Sequence, residues 1–229
     1  MKYMIHTYPK RLWYVKDYIV KDMIKQGIKR EDIIIVNDTK GLGNLWAFVN
    51  SLELVTEDTW HLQDDILISS KFKIKTEVLG RMSIIVSGFN YYDFNTGCTL
   101  CKGITKPIFM YMTFPCIFIP KRYTDEFKRW ITLDSTYANK RNKEMIDSGK
   151  CDDQLFYQYM LDNHKHDEIY NCYECLVDHV DYLLGGSSIN ERTEIVRASD
   201  WNENELNIKL EEELRKEGKI KWYLKQEKN

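Results

Sequence analysis

An α/β fold, with a mostly parallel sheet flanked by helices, is what this sequence predicts. Three observations predict it. Strand-like runs alternate with helix-like ones: "KYMIHTY" (2–8), "DIIIVND" (32–38) and "TWHLQDDI" (59–66), with helical spacing between them. That alternation is the pattern of βαβ units. The second run is continuously apolar, as a parallel strand buried on both faces must be. Each run also ends in polar groups, Thr7, Asp38 and the Asp64-Asp65 pair, at the strand ends where open α/β sheets bind ligands.

The elements follow in order. Pro9 closes the first strand. Leu12, Val15, Ile19 and Met23 then recur at helical spacing, and Gly27 ends that helix. Residues 39–55 open with glycines and turn helical. Further on, "KFKIKTEVLGRM" predicts a helix and "SIIVSGFNYY" a strand. The dense apolar stretch "PIFMYMTFPCIFIP" (107–120) predicts one or two buried strands, "RYTDEFKRWI" the start of a helix, and "CDDQLFYQYMLDN" (151–163) another. The segment "YNCYECLVDHVDYLLGGSS" reads as a short strand and then a polar, glycine-containing loop. Leu206, Leu210 and Leu214 mark a last helix with Asp200 or Asn202 as its cap. Its charged surface predicts a peripheral position. The organisation expected is a catalytic domain over 1–190 and a C-terminal helical extension, tail plus helix, over 191–229.

Composition narrows the function. The 229 residues suit one domain with a sizeable core. With 43% apolar and 30% charged residues, the chain is of ordinary globular composition. Its net charge of −2 supplies no field for drawing in nucleic acid. No apolar stretch is long enough for a membrane span. The N-terminus "MKYMIHTYPKRLW" lacks the apolar core of a signal peptide. A cytoplasmic location, no membrane partner and reduced thiols are therefore expected. Cys98 and Cys101, with Cys172 and Cys175, form two CxxC pairs, but the roughly 70 residues between them far exceed the usual zinc-ribbon gap. Alternate packing in strands explains them better than zinc.

The chemistry lies in "WHLQDDILISSKF" (60–72), where two adjacent carboxylates stand inside an apolar run. Charge there needs a counter-ion or a metal. Carboxylates at the end of a nucleotide-binding sheet suit Mg²⁺ or Mn²⁺ bridging diphosphate oxygens. The competing reading is a strand-end pair that caps loop amides. The chain has neither GxxxxGK[ST] nor GxGxxG, which argues against P-loop and dinucleotide enzymes. A metal carrying the diphosphate makes such a loop unnecessary.

The ordered blocks "IHTYPKR", "IIIVND", "WHLQDDILISSKF", "CDDQLFYQYM" and "CLVDHVDYLLGGSS" resemble a GT-A glycosyltransferase of the compact type common in bacteriophage genomes. The later "IVRASDWNENEL" resembles that type's tail. The acid pair would be a QDD variant of the DxD motif, Gln63-Asp64-Asp65, which departs from the family at its first position. The resemblance implies a Rossmann-like GT-A fold and a nucleotide-sugar donor, a UDP-sugar first. The acceptor stays open among a modified DNA base, a protein and a glycan. It implies nucleotide contacts from Thr7, Arg11, Asp38, Gln63 and Asp64. The metal, Mn²⁺ or Mg²⁺, would be held by Asp65 and His179. Asp152 or Asp153 would be the general base of an inverting reaction. Asp178 and Asp181 flank His179 and could orient its ring. Arg192 and Arg197 are candidates for a phosphate clamp from the tail. Phage origin would place the protein in host cytoplasm. Two other classes compete: a metal-dependent nuclease using the same acids, and a non-catalytic sugar-nucleotide-binding module.

Overall fold

In a computed structural model of the chain, the described residues are 1–41, 43–89, 104–105, 114–132, 152–165, 168–172, 174–186, 197–198 and 201–221. Strand β1 (Lys2–Thr7) is followed by helix α1, three consecutive segments Leu12–Tyr14, Val15–Val20 and Lys21–Lys25, of which the middle one is π-helical. Strand β2 (Ile33–Asn37), helix α2 (Asn44–Ser51) and strand β3 (Thr59–Gln63) complete the first βαβαβ run. Then come β4 (Ile66–Ile68), α3 (Phe72–Gly80), β5 (Ile85–Ser87), β6 (Ile104–Thr105) and β7 (Cys116–Ile119). Helices α4 (Lys121–Thr132) and α5 (Asp152–Asp162), strands β8 (Ile169–Cys172) and β9 (Val177–His179), and helix α6 (Asn204–Lys216) close the chain.

Among the described residues the main sheet has seven strands, in the order β2-β1-β3-β7-β5-β8-β6. Strands β2, β1 and β3 are mutually parallel. Strand β7 opposes both β3 and β5, and β5 is parallel to β8, so β2, β1, β3, β5 and β8 all point one way. Only β7 and β6 are reversed. The fold is thus the mostly parallel α/β sheet that the alternating pattern predicts.

Side chains of β1 alternate between two packed layers. Tyr3 and Ile5 join Tyr14, Val15 and Ile19 of α1 in one core, together with Trp60, Leu62, Phe72 and Val177. On the other face, Leu45 and Phe48 of α2 pack with Phe127 of α4 and Leu155 and Phe156 of α5. Just past β5, Gly88 meets Cys116 and Leu176 so closely that a Cβ would lie 2.7 Å from the Cys116 sulfur and 2.9 Å from Leu176 Cδ1. A side chain there would force these neighbours to shift, and the backbone of 88 bonds both of them.

Three expectations change. The third strand does not run on through the acids. It stops at Gln63, the chain bends at Asp64-Asp65, and β4 pairs with β9 in a separate two-stranded sheet. In an unbroken strand the two carboxylates would point to opposite faces; the bend lets both reach one cation. The segment around His179 is a strand, not a loop, because its residues pair with β4. The last helix is not peripheral. Leu210 and Leu214 are buried in the α1 core, and the Glu203 side chain just before the helix accepts from the Ser69 hydroxyl at 2.5 Å and the Ser70 N–H at 2.9 Å. Among the described residues no helix is long and apolar enough to cross a membrane.

Candidate functional site

Strands β1, β2 and β3 end side by side, and their last residues place the first polar groups. Thr7 is buried at the end of β1, and its carbonyl accepts the Asp38 N–H at 2.7 Å. The Asp38 carboxylate accepts the Gly43 N–H at 2.8 Å, closing the 38–43 loop ahead of α2. Gln63 closes β3, its N–H on the Pro115 carbonyl at 3.1 Å. Thr7, Asp38 and Gln63 therefore share one edge of the sheet.

The acid pair follows directly. Asp64 and Asp65 are each 7% exposed. A turn after β1, in which the Arg11 N–H bonds the Tyr8 carbonyl at 3.0 Å, brings Arg11 to the head of α1. Its Nη1 donates to Asp64 Oδ1 at 3.0 Å and Asp65 Oδ2 at 2.6 Å, and its Nη2 donates to the Gly186 carbonyl. Gly185 and Gly186 reach that carbonyl through φ of 94° and 83°, a region open to glycine.

His179 arrives through strand pairing. Antiparallel β9 sets His179 opposite Ile66, and the Val180 N–H bonds the Asp65 carbonyl at 2.8 Å. His179 Nε2 then lies 3.3 Å from Asp65 Oδ1, while Nδ1 lies 3.2 Å from Asp181 Oδ1. Of the two flanking acids, Asp181 faces the ring. Asp178 faces away, accepting from Arg197 Nε at 2.6 Å, the Ala198 N–H at 2.8 Å and Asn207 Nδ2 at 2.8 Å. Arg197 thus ties down the last helix. Arg192 lies outside the described residues, as do Cys98 and Cys101. Cys116, Cys172 and Cys175 are buried thiols.

The electrostatics follow from this packing. Burial opposes ionisation of Asp65, but His179 and Arg11 outweigh it and hold the carboxyl far below the usual range. Burial pushes Asp64 up; Arg11 opposes this, and repulsion from Asp65 adds to it. Burial would lower His179, yet Asp65 and Asp181 on its two sides raise it to about 10. A metal taking Nε2 has to displace that proton.

The donor set fits a divalent cation. Asp64 Oδ2 and Asp65 Oδ1 are buried and accept no hydrogen bond among the described residues. Two donors on adjacent vertices of an octahedron with bonds of about 2.1–2.2 Å stand about 3 Å apart, close to the 3.3 Å between Asp65 Oδ1 and His179 Nε2. Among the described residues no three His, Cys, Asp or Glu side chains form a protein-only cage. Oxygen and imidazole ligands completed by substrate phosphates are a common way to hold Mg²⁺ or Mn²⁺. A cavity of about 590 Å³ lies elsewhere, between α1, β4 and α6.

Asp152 and Asp153 occupy the first two positions of α5; their side chains lie outside the described residues. Two features were not foreseen: the guanidinium between the acids, and the carbonyl of Gly186 beneath it. The signal for the first was an arginine one turn beyond the first strand, at the ligand-binding edge.

No family model matches the chain, and no curated protein matches it. Among solved structures, A197 from STIV aligns at a TM-score of 0.42 and 11% identity, covering 78% of this chain and 85% of that one. The inositol-1-phosphate CTP transferase from T. maritima aligns at 0.39 and 12%, covering 75% and 85%. Likeness at this level is too slight to assign an activity.

Proposed function

We propose that the protein is a metal-dependent glycosyltransferase of GT-A type, moving a sugar from a nucleotide-diphosphate sugar to an acceptor hydroxyl. The observation that carries this reading is the buried constellation at the strand ends, where Asp65 and His179 present adjacent donors beside Asp64. Asp65 and His179 would hold Mn²⁺ or Mg²⁺, which supplies charge neutralisation for the departing diphosphate. Thr7, Asp38, Gln63 and Asp64 line the edge where the nucleoside would lie, with a UDP-sugar the first donor to try. Asp181 keeps the His179 ring turned toward Asp65. Asp152 or Asp153 would take the proton from the acceptor hydroxyl as its oxygen attacks the anomeric carbon.

A two-metal nuclease fits less well. It needs its carboxylates free for ions, and here one oxygen of each acid is committed to Arg11.

Calorimetry with UDP-, GDP-, ADP- and CDP-sugars tests the reading. One donor should bind with Mn²⁺ and lose at least about tenfold in affinity in EDTA. Asp65→Asn should abolish both that dependence and slow donor hydrolysis while leaving the circular dichroism spectrum unchanged. Equal affinity in EDTA and in Mn²⁺ would overturn the proposal.

A further inference from the structure

A guanidinium stands where two adjacent buried acids repel each other. Arg11 is 3% exposed, and its two terminal nitrogens already serve three protein acceptors: Asp64 Oδ1, Asp65 Oδ2 and the Gly186 carbonyl. Each carboxylate thereby gives one oxygen to Arg11; Asp64 Oδ2 accepts no hydrogen bond among the described residues, and Asp65 Oδ1 faces only His179 Nε2, at 3.3 Å. Three of the five guanidinium N–H donors are thus committed within the site, and the buried Nε has no hydrogen-bond partner among the described residues.

The arrangement has two consequences. Without a metal, Arg11 touches both carboxylates and, with His179 beside Asp65, supplies the positive charge that two adjacent buried acids require. With a metal on the open oxygens, the same fixed charge lies within a few ångströms of the ion and repels it. A diphosphate brings the negative charge that offsets this repulsion.

We propose that Arg11 is a built-in counter-cation that keeps the site's affinity for a free divalent ion low, so that the metal enters together with the nucleotide's diphosphate. This rests on the metal reading given above. It makes Arg11 a positioning residue for the acid pair and a gate on the order of binding.

The test titrates Mn²⁺ against the full-length protein by electron paramagnetic resonance, with and without UDP. Wild type should bind Mn²⁺ alone weakly, and UDP should tighten it by at least about tenfold. Arg11→Gln should bind Mn²⁺ alone at least about tenfold more tightly than wild type and lose most of UDP's effect. Arg11→Lys, which keeps the charge, should stay near wild type. In thermal melts, Arg11→Gln should be destabilised without metal and gain more from Mn²⁺ than wild type does. Should Arg11→Gln fail to fold, the double variant Asp64→Asn/Arg11→Gln, which removes one charge of each sign from wild type, is compared with Asp64→Asn and asks the same question. Equal or weaker Mn²⁺ affinity without Arg11 overturns the counter-cation while leaving the metal site standing. If Mn²⁺ binds no variant, with or without UDP, the metal reading falls and this inference with it.

Discussion

His6 and His61 meet through a hydrogen bond on the face of the sheet that packs against Phe48. His6 Nε2 lies 3.2 Å from His61 Nδ1, the rings stack at 5.5 Å, and the edge of Phe48 closes against both. One nitrogen must donate and the other accept. Burial lowers His6 to about 4 and, with His6 beside it, lowers His61 well below its ordinary value. Both bases are harder to protonate folded than unfolded. Between pH 6.5 and about 4 the unfolded chain therefore binds more protons, and stability falls as pH falls. Urea unfolding across this range should show wild type losing at least about 1 kcal/mol more than the His6→Gln/His61→Gln double variant. Parallel curves would show that the pair is not the source. At this scale the sequence spoke through misfits. Two acids in an apolar run announced themselves, because buried charge demands a partner. The partner's identity was not legible, since the resemblance gives Arg11 to the nucleotide and only the fold of β1 and α1 brings it to the acids. The contact between His179 and Asp65 depends on a pairing between residues far apart in the chain.

Elements were legible where periodicity is local. The spacing of Leu12, Val15, Ile19 and Met23 gives α1, and the apolar run at 33–37 gives β2. What periodicity cannot show is which sheet a strand joins. The run from Trp60 to Ile68 looks continuous, yet it supplies β3 to the main sheet and β4 to a separate pair. Charge likewise hides the docking of α6. Its surface is charged, but Asp178, fully buried on β9, accepts hydrogen bonds from Arg197, Ala198 and Asn207, and Asn207 Oδ1 in turn accepts the Trp201 indole Nε1–H at 2.6 Å. Asp178→Ala leaves these donors unmatched beside buried leucines and should cost about 2–4 kcal/mol. Hydrogen exchange should then accelerate first in α6, while β1 and β3 remain protected. Uniform acceleration across the molecule would mean that α6 has no separate attachment.

For the whole molecule, the two cores divide the proposed chemistry. Arg11 and β9's His179 stand with the α1 core, whereas Asp152 and Asp153 head α5, whose Leu155 and Phe156 belong to the core on the other face. The sheet between these layers keeps its register through β1, β3 and β7. If one of these acids is the general base, its replacement by Asn should lower turnover by roughly 10²–10⁴-fold. Donor affinity and its Mn²⁺ dependence should stay at wild-type levels, because the acid serves the acceptor hydroxyl and not the diphosphate. Slow donor hydrolysis should fall in parallel, since water would use the same base. A nuclease predicts another pattern, in which the same acids hold ions and each Asn variant also weakens Mn²⁺ binding. Single-turnover kinetics on Asp152→Asn and Asp153→Asn, paired with Mn²⁺ and donor titrations, separate the two. Wild-type turnover in both would remove the inverting base from α5 and favour a retaining mechanism, because the donor half would still be intact on the other layer.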